Sequence, residues 1–288
     1  MDKQVKPGTA SPEDDASYQM GMHTEQLGGR TQQTFFSPED GENFLYPDGP
    51  DLDFNRRTEF DATDLDARTV NKKIRELAHA GYGTIVVKNP GAKHSLGVGI
   101  LHRLQLYFEG SLGYFGCGLV DGPNIRIKGR VGWSCAENMM AGVVVIEKNA
   151  GSTFGAAIRG GDLICMGDVG SRTGIDQKGG TIIVGGRTGA FSGFMMQRGR
   201  MVICGNAGAN LGDSMYDGTI FVGGEIDSLG VDAVEGELTD LDKAWLERKL
   251  KPYGLKPKNG ISKVKKIVAG KQLWNYDNLE PAEKKLVL

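Results

Sequence analysis

The chain has 288 residues with 39% hydrophobic content, enough to bury a sizeable core. A formal net charge of −2 provides no overall field for nucleic acid or anionic lipid, so neither is expected as a partner. No run of about 18 apolar residues occurs and the N-terminus has no apolar signal region, so a soluble, cytoplasmic protein is expected.

Residues 1–60 are rich in Gly, Pro, Ser and acids, with isolated pairs such as Phe35-Phe36 and Leu45-Tyr46. This composition makes a poor core. It fits an extended arm that orders against a partner, and equally plain disorder. Residues 61–105 read as an N-terminal cap. Thr63 and Asp66 form a T-x-x-D start ahead of Val70, Ile74, Leu77 and Ala78, which predicts a helix over 66–79 ending at Gly81. A strand over 84–88 follows.

Residues 106–238 divide without insertion into seven rows of 19, the first being LYFEGSLGYFGCGLVDGPN from Leu106. Position one of the rows reads Leu106, Ile125, Val144, Leu163, Ile182, Met201, Ile220, and position three reads Phe108, Ile127, Ile146, Cys165, Val184, Ile203, Val222. Alternation with a period of two marks a strand with one buried face. A second apolar column, interrupted by Gln177, runs through position fifteen from Val120 to Val234.

Glycine makes up 44 of 288 residues, about twice the usual ~7%. It recurs at position five (Gly129, Gly167, Gly186, Gly205 among others), position eight (Gly132, Gly151, Gly170, Gly189, Gly208) and position eighteen. These are the expected corners, where the backbone turns with φ > 0 or approaches its neighbour too closely for a Cβ. A single row cannot bury its own apolar face, but stacked rows bury one another's. The predicted fold is therefore all-β, a right-handed parallel β-helix of about seven turns with helical caps and extended termini.

Residues 239–288 open with another T-x-x-D and carry Leu241, Trp245 and Leu250, predicting a second amphipathic helix over 239–251 that covers the far end. Nine Lys or Arg residues over 248–271 follow the single acid Glu247. Such a run is a solvated face or a docking surface for an acidic partner.

Chemistry is sparse. The repeated G-x-x-G-x-x-x-G at Gly167/Gly170/Gly174, Gly186/Gly189/Gly193 and Gly205/Gly208/Gly212 invites a nucleotide-binding reading, but a dinucleotide site needs one such turn leading into a helix, and here strands follow. The histidines His23, His79, His94 and His102 have no metal-ligand spacing, and the four cysteines form no C-x-x-C pair and read as reduced, buried thiols. A β-helix glycosidase would align carboxylates on an outer face. Position six instead reads Ser111, Arg130, Asn149, Asp168, Arg187, Asn206, Glu225, a mixed polar ladder in which Arg130, Asp168 and Arg187 are the residues to inspect.

The segments DARTVNKKIREL and KHSLGVG, with the stacked glycine rows, resemble the C-terminal β-helix domain of the glutamate synthase large subunit. More distantly they resemble the C subunit of formylmethanofuran dehydrogenase. The match is closest to stand-alone β-helix subunits such as that of N-methylglutamate synthase. The resemblance implies a non-catalytic structural subunit with no cofactor or catalytic residue of its own. It implies partner chains too: a glutamine amidotransferase-like subunit, and an FMN-binding glutamate synthase-like subunit that also carries the iron–sulfur cluster. The alternatives are a scaffold like the C subunit of formylmethanofuran dehydrogenase, or an independent β-helix enzyme acting on a carbohydrate.

Overall fold

The computed structural model describes residues 51–270. The arm over residues 1–50 and the tail beyond 270 lie outside these. The described residues form one 11-stranded sheet in the order β1-β2-β3-β4-β5-β6-β7-β8-β9-β11-β10. Its first nine strands are parallel: β1 (Asp53–Asp61), β2 (Tyr82–Lys88), β3 (Gln105–Glu109), β4 (Asp121–Ile127), β5 (Ala141–Ile146), β6 (Asp162–Cys165), β7 (Lys178–Val184), β8 (Arg198–Ile203) and β9 (Thr219–Val222). β11 (Lys265–Ala269) closes the stack by running antiparallel between β9 and β10 (Ala233–Gly236).

Strand register follows the 19-residue rows. Leu106 pairs with Ile125, Ile125 with Val144, and so on through Met201 and Ile220. Both inward columns are buried at every row, forming the continuous core of a parallel β-solenoid. The ladder also reaches upstream of Leu106, since Ile85 pairs with Leu106 and Thr58 with Ile85. Residues 53–60, placed with the arm on sequence grounds, are thus a strand of this sheet.

The opposite wall is not a β-strand. In the first six rows positions ten, twelve and fourteen have positive φ, as at Phe115, Cys117 and Leu119 (φ 56, 55 and 57°) or Arg172, Gly174 and Asp176 (φ 56, 64 and 56°). The alternation turns successive N–H groups toward opposite neighbours. Phe115 and Leu119 donate forward to Trp133 O and Glu137 O, while Cys117 donates back to Leu96 O. A residue with a side chain costs about 1–2 kcal/mol in this conformation. It persists because hydrogen bonds on both sides over-determine it.

At the N-terminal end lies α1 (Ala67–His79), whose N-cap is Asp66, accepting from Thr69 N–H. Thr63 bonds Asp61 instead. Val70, Ile74 and Ala78 face the solenoid core, as a cap over the first turn requires.

The second helix, α2 (Asp240–Leu250), has the capping box expected of Thr239 and Asp242. Its position differs from the sequence expectation. It does not cover the far end; it lies on the outer face of the sheet, where Leu246 and Leu250 join Val145, Ile164, Ile183, Val202 and Phe221 in a second apolar cluster. Those five residues occupy position two of rows three to seven, which points away from the interior. Position two of rows one and two, Tyr107 and Arg126, is not part of that cluster, and Arg126 is exposed. The outer face therefore needed a cover only from row three onward, and the end is closed by β11.

Candidate functional site

The glycine columns divide by physical role. Gly174, Gly193 and Gly212 stand at position twelve with φ of 64, 71 and 67°. The glycines at positions five and eight, Gly110 apart, have no positive φ; there a Cβ would collide with the preceding turn, for example 2.6 Å from Gly186 O at Gly205 and 2.5 Å from Ser152 N at Gly170. At Gly129 a Cβ would meet the backbone of Gly110 and Ser111, at Gly132 that of Gly113 and Tyr114, and at Gly151 the Trp133 ring at 2.5 Å.

Most of their amides are engaged. Gly167 donates to Lys148 O, Gly186 to Gly167 O, Gly205 to Gly186 O, Gly189 to Gly170 O, Gly208 to Thr188 O and Gly174 to Phe154 O, all at 2.8–3.3 Å. Gly193 and Gly212 donate to Thr173 O and Ser192 O, Gly151 to Val131 O, Gly170 to Gly151 O, and Gly132 to Leu112 O and Gly113 O. A phosphate-binding loop works by aiming free N–H groups at the ligand. Here those groups hold one turn to the previous one.

Position six is a ladder of acceptors. Ser111 Oγ, Asn149 Oδ1, Asp168 Oδ1 and Asn206 Oδ1 accept from the backbone N–H of Arg130, Asp168, Arg187 and Glu225, the residue one row on in each case, at 2.9–3.1 Å. Asp168 also lies 3.6 Å from Arg187 Nε, a pair open to solvent. Arg130 is exposed and its side chain makes no ion pair among the described residues. The next carboxylate of the column, Glu225, is three rows from Asp168, on the order of 14 Å at ~4.8 Å per strand. Glycoside hydrolysis needs two carboxyl groups within about 5–9.5 Å. Glu225 is moreover paired with Lys265 at 3.0 Å.

Burial pushes the thiols of Cys117, Cys165 and Cys204 up to about 12 and raises that of Cys135 well above its ordinary value. All four are buried and free. Among the described residues no three His, Cys, Asp or Glu side chains converge as metal ligands. His79 and His102 stand edge to face at 5.5 Å, and burial together with the His79 charge lowers the pKa of His102.

One feature of the surface escaped the sequence reading. His94, Tyr114 and Trp133 stack along the solenoid with centroids 4.6 and 5.4 Å apart, the two larger rings about half exposed. The available signal was the 19-residue offset between Tyr114 and Trp133 at position nine, where later rows carry Ser or Ala.

The basic run is partly committed within the chain. Lys249 pairs with Asp162, Lys265 with Glu225 and Lys266 with Asp242 at 2.8–3.0 Å.

These features define a parallel β-solenoid whose repeated polar groups serve turn-to-turn stacking, with a helix and strap laid over half of its outer face. No family model matches the chain. A stretch of 60 residues, 21% of the chain, is 42% identical to part of Protein GlxC of Rhizobium meliloti (strain 1021), and covers 26% of that protein's length. Among the described residues no helix is long and apolar enough to cross a membrane.

Proposed function

We propose that the chain is a non-catalytic structural subunit of a glutamate synthase-type complex, of either the glutamate synthase or the N-methylglutamate synthase kind. In this reading it organises a glutamine amidotransferase-like subunit and an FMN-dependent, iron–sulfur-containing synthase subunit in the cytoplasm. The observation that carries it is the use of the glycine amides and position-six side chains between turns. Those groups are thereby committed to holding one turn to the next. The likeness of the glycine rows to the β-helix domain of glutamate synthases supports it, and the stretch shared with GlxC is consistent with it. A carbohydrate-acting enzyme would need paired carboxylates, and the spacing of Asp168 and Glu225 argues against that.

The test is native purification of the tagged chain from its own source, with the visible spectrum and subunit composition of the eluate recorded. Flavin absorbance together with amidotransferase-like and synthase-like chains is the expected outcome. FMN bound stoichiometrically to the purified chain alone overturns the reading.

A further inference from the structure

The charge of this protein is segregated. Arg248, Lys249, Lys251, Lys256, Lys258, Lys263, Lys265 and Lys266 fall within 19 residues that contain no Asp or Glu. Removing those eight from the 34 Lys and Arg leaves 26 against 36 acids, so the rest of the chain carries −10.

The structure sorts these cations into two sets. Lys249, Lys265 and Lys266 are paired with carboxylates of the chain itself. Arg248, Lys251, Lys256, Lys258 and Lys263 are exposed and make no ion pair among the described residues. The Lys258 ammonium donates to the neutral Asn206 Oδ1 at 3.2 Å.

The outward direction of the second set is built in. After α2 the chain runs as a strap over the ends of β7 to β9. Lys258 N–H donates to Cys204 O at 2.8 Å and Asn259 N–H to Gly223 O at 2.9 Å. Past a left-handed turn at Gly254 (φ 64°), Leu255 is half-buried and Pro257 buried, while Lys256 and Lys258 beside them are exposed, the alternation of a short extended piece with one face down. The fit beneath is close. A Cβ on Gly185 would meet Leu255 at 2.8 Å, and one on Gly223 would meet Pro257 at 2.7 Å. Val264 anchors the far side in the outer apolar cluster. Cations held on a pinned segment lose little further freedom on binding, and unpaired rim charge of one sign steers and selects a partner of the other.

We propose that α2 and the strap over residues 251–264 form the docking face for a protein partner that presents carboxylates. The inference rests on reading the chain as a subunit of a larger complex. The test compares the full wild-type chain with a variant carrying Lys251→Glu, Lys256→Glu and Lys263→Glu, and with the milder Gln triple variant, each purified natively from its own source. Melting curves matching wild type establish that the variants fold. The expected result is a stoichiometric partner whose yield per mole of bait falls about tenfold in the Glu variant and less in the Gln variant. Wild-type yield should also fall as salt rises from about 0.05 to about 0.5 M. Carbodiimide cross-linking of the wild type should join Lys251, Lys256 or Lys263 to a partner Asp or Glu. A flavin-bearing partner retained undiminished by the Glu variant overturns the docking face and leaves the proposed function standing. A partner lost in the variant but lacking flavin does the reverse. No stoichiometric partner at all, or charge-dependent retention of RNA or phosphatidylserine vesicles in its place, overturns the docking face.

Discussion

Lys249 of α2 and Asp162 of β6 meet across 87 residues of chain, the ammonium 2.9 and 2.8 Å from the two carboxylate oxygens. The side chains are 30% and 25% exposed, so the pair is screened less than a surface ion pair but is not sealed from water. It fixes where along the outer face the helix lies. Lys249→Ala leaves a half-buried carboxylate without its partner, and a loss of about 1–2 kcal/mol is expected in denaturant melts. Lys249→Ala with Asp162→Asn should recover part of it.

Position two separates the covered from the bare half of the outer face. Ile183 is fully buried beneath the α2 segment, so Ile183→Ala should cost about 2–5 kcal/mol, as an inward residue such as Ile146 would. Arg126→Ala, in the same column three rows earlier, loses only a solvent-exposed pair with Glu147 and should change stability by less than about 1 kcal/mol. Equal costs at the two positions would contradict the placement of α2.

Asn71 of α1 completes the first turn. Its Nδ2 donates to Ser95 O at 2.7 Å and its Oδ1 accepts from Gly97 N–H at 2.8 Å, groups with no preceding turn to pair with. Asn71→Ala should cost about 2–4 kcal/mol by leaving both unpaired. Hydrogen exchange at Gly97 should quicken in that variant.

Burial raises the Asp242 carboxyl, but the bonds from Lys266 and Thr239 outweigh it and hold the group below 3.8. The unfolded chain then binds the proton more readily, so this contribution is present above about pH 4 and is lost as pH falls through the lower folded value. The melting temperature of Asp242→Asn should therefore depend less on pH than that of wild type between about pH 5 and 2. Parallel curves would refute it.

With the Cys117, Cys165 and Cys204 thiols pushed up to about 12, their thiolate fraction at neutral pH is negligible. An aromatic disulfide reagent should label none of the four buried cysteines in the native protein and all of them in guanidinium.

Much of the solenoid was readable before any coordinates, because a stacked turn repeats the same surroundings every 19 residues and periodicity reports tertiary contact directly. Leu106, Ile125 and Val144 announce one ladder by recurring, and so do the glycines that a neighbouring backbone excludes. The cover on the outer face left a fainter trace. Val144-Val145-Ile146 and Ile182-Ile183-Val184 are apolar on both faces of their strands, which means something lies on each side, but a run of three cannot say what.

The sequence by itself determined the register, the inward columns and the helix starts at Asp66 and Thr239, all of which depend on residues close in the chain or one repeat apart. Only the tertiary structure decided that α2 lies along the sheet instead of over its end, that the second wall alternates in φ, and which lysines remain unpaired. Those outcomes depend on single, non-repeating contacts such as Lys249 with Asp162 or Leu255 over Gly185, and their energy exists only once the turns are stacked.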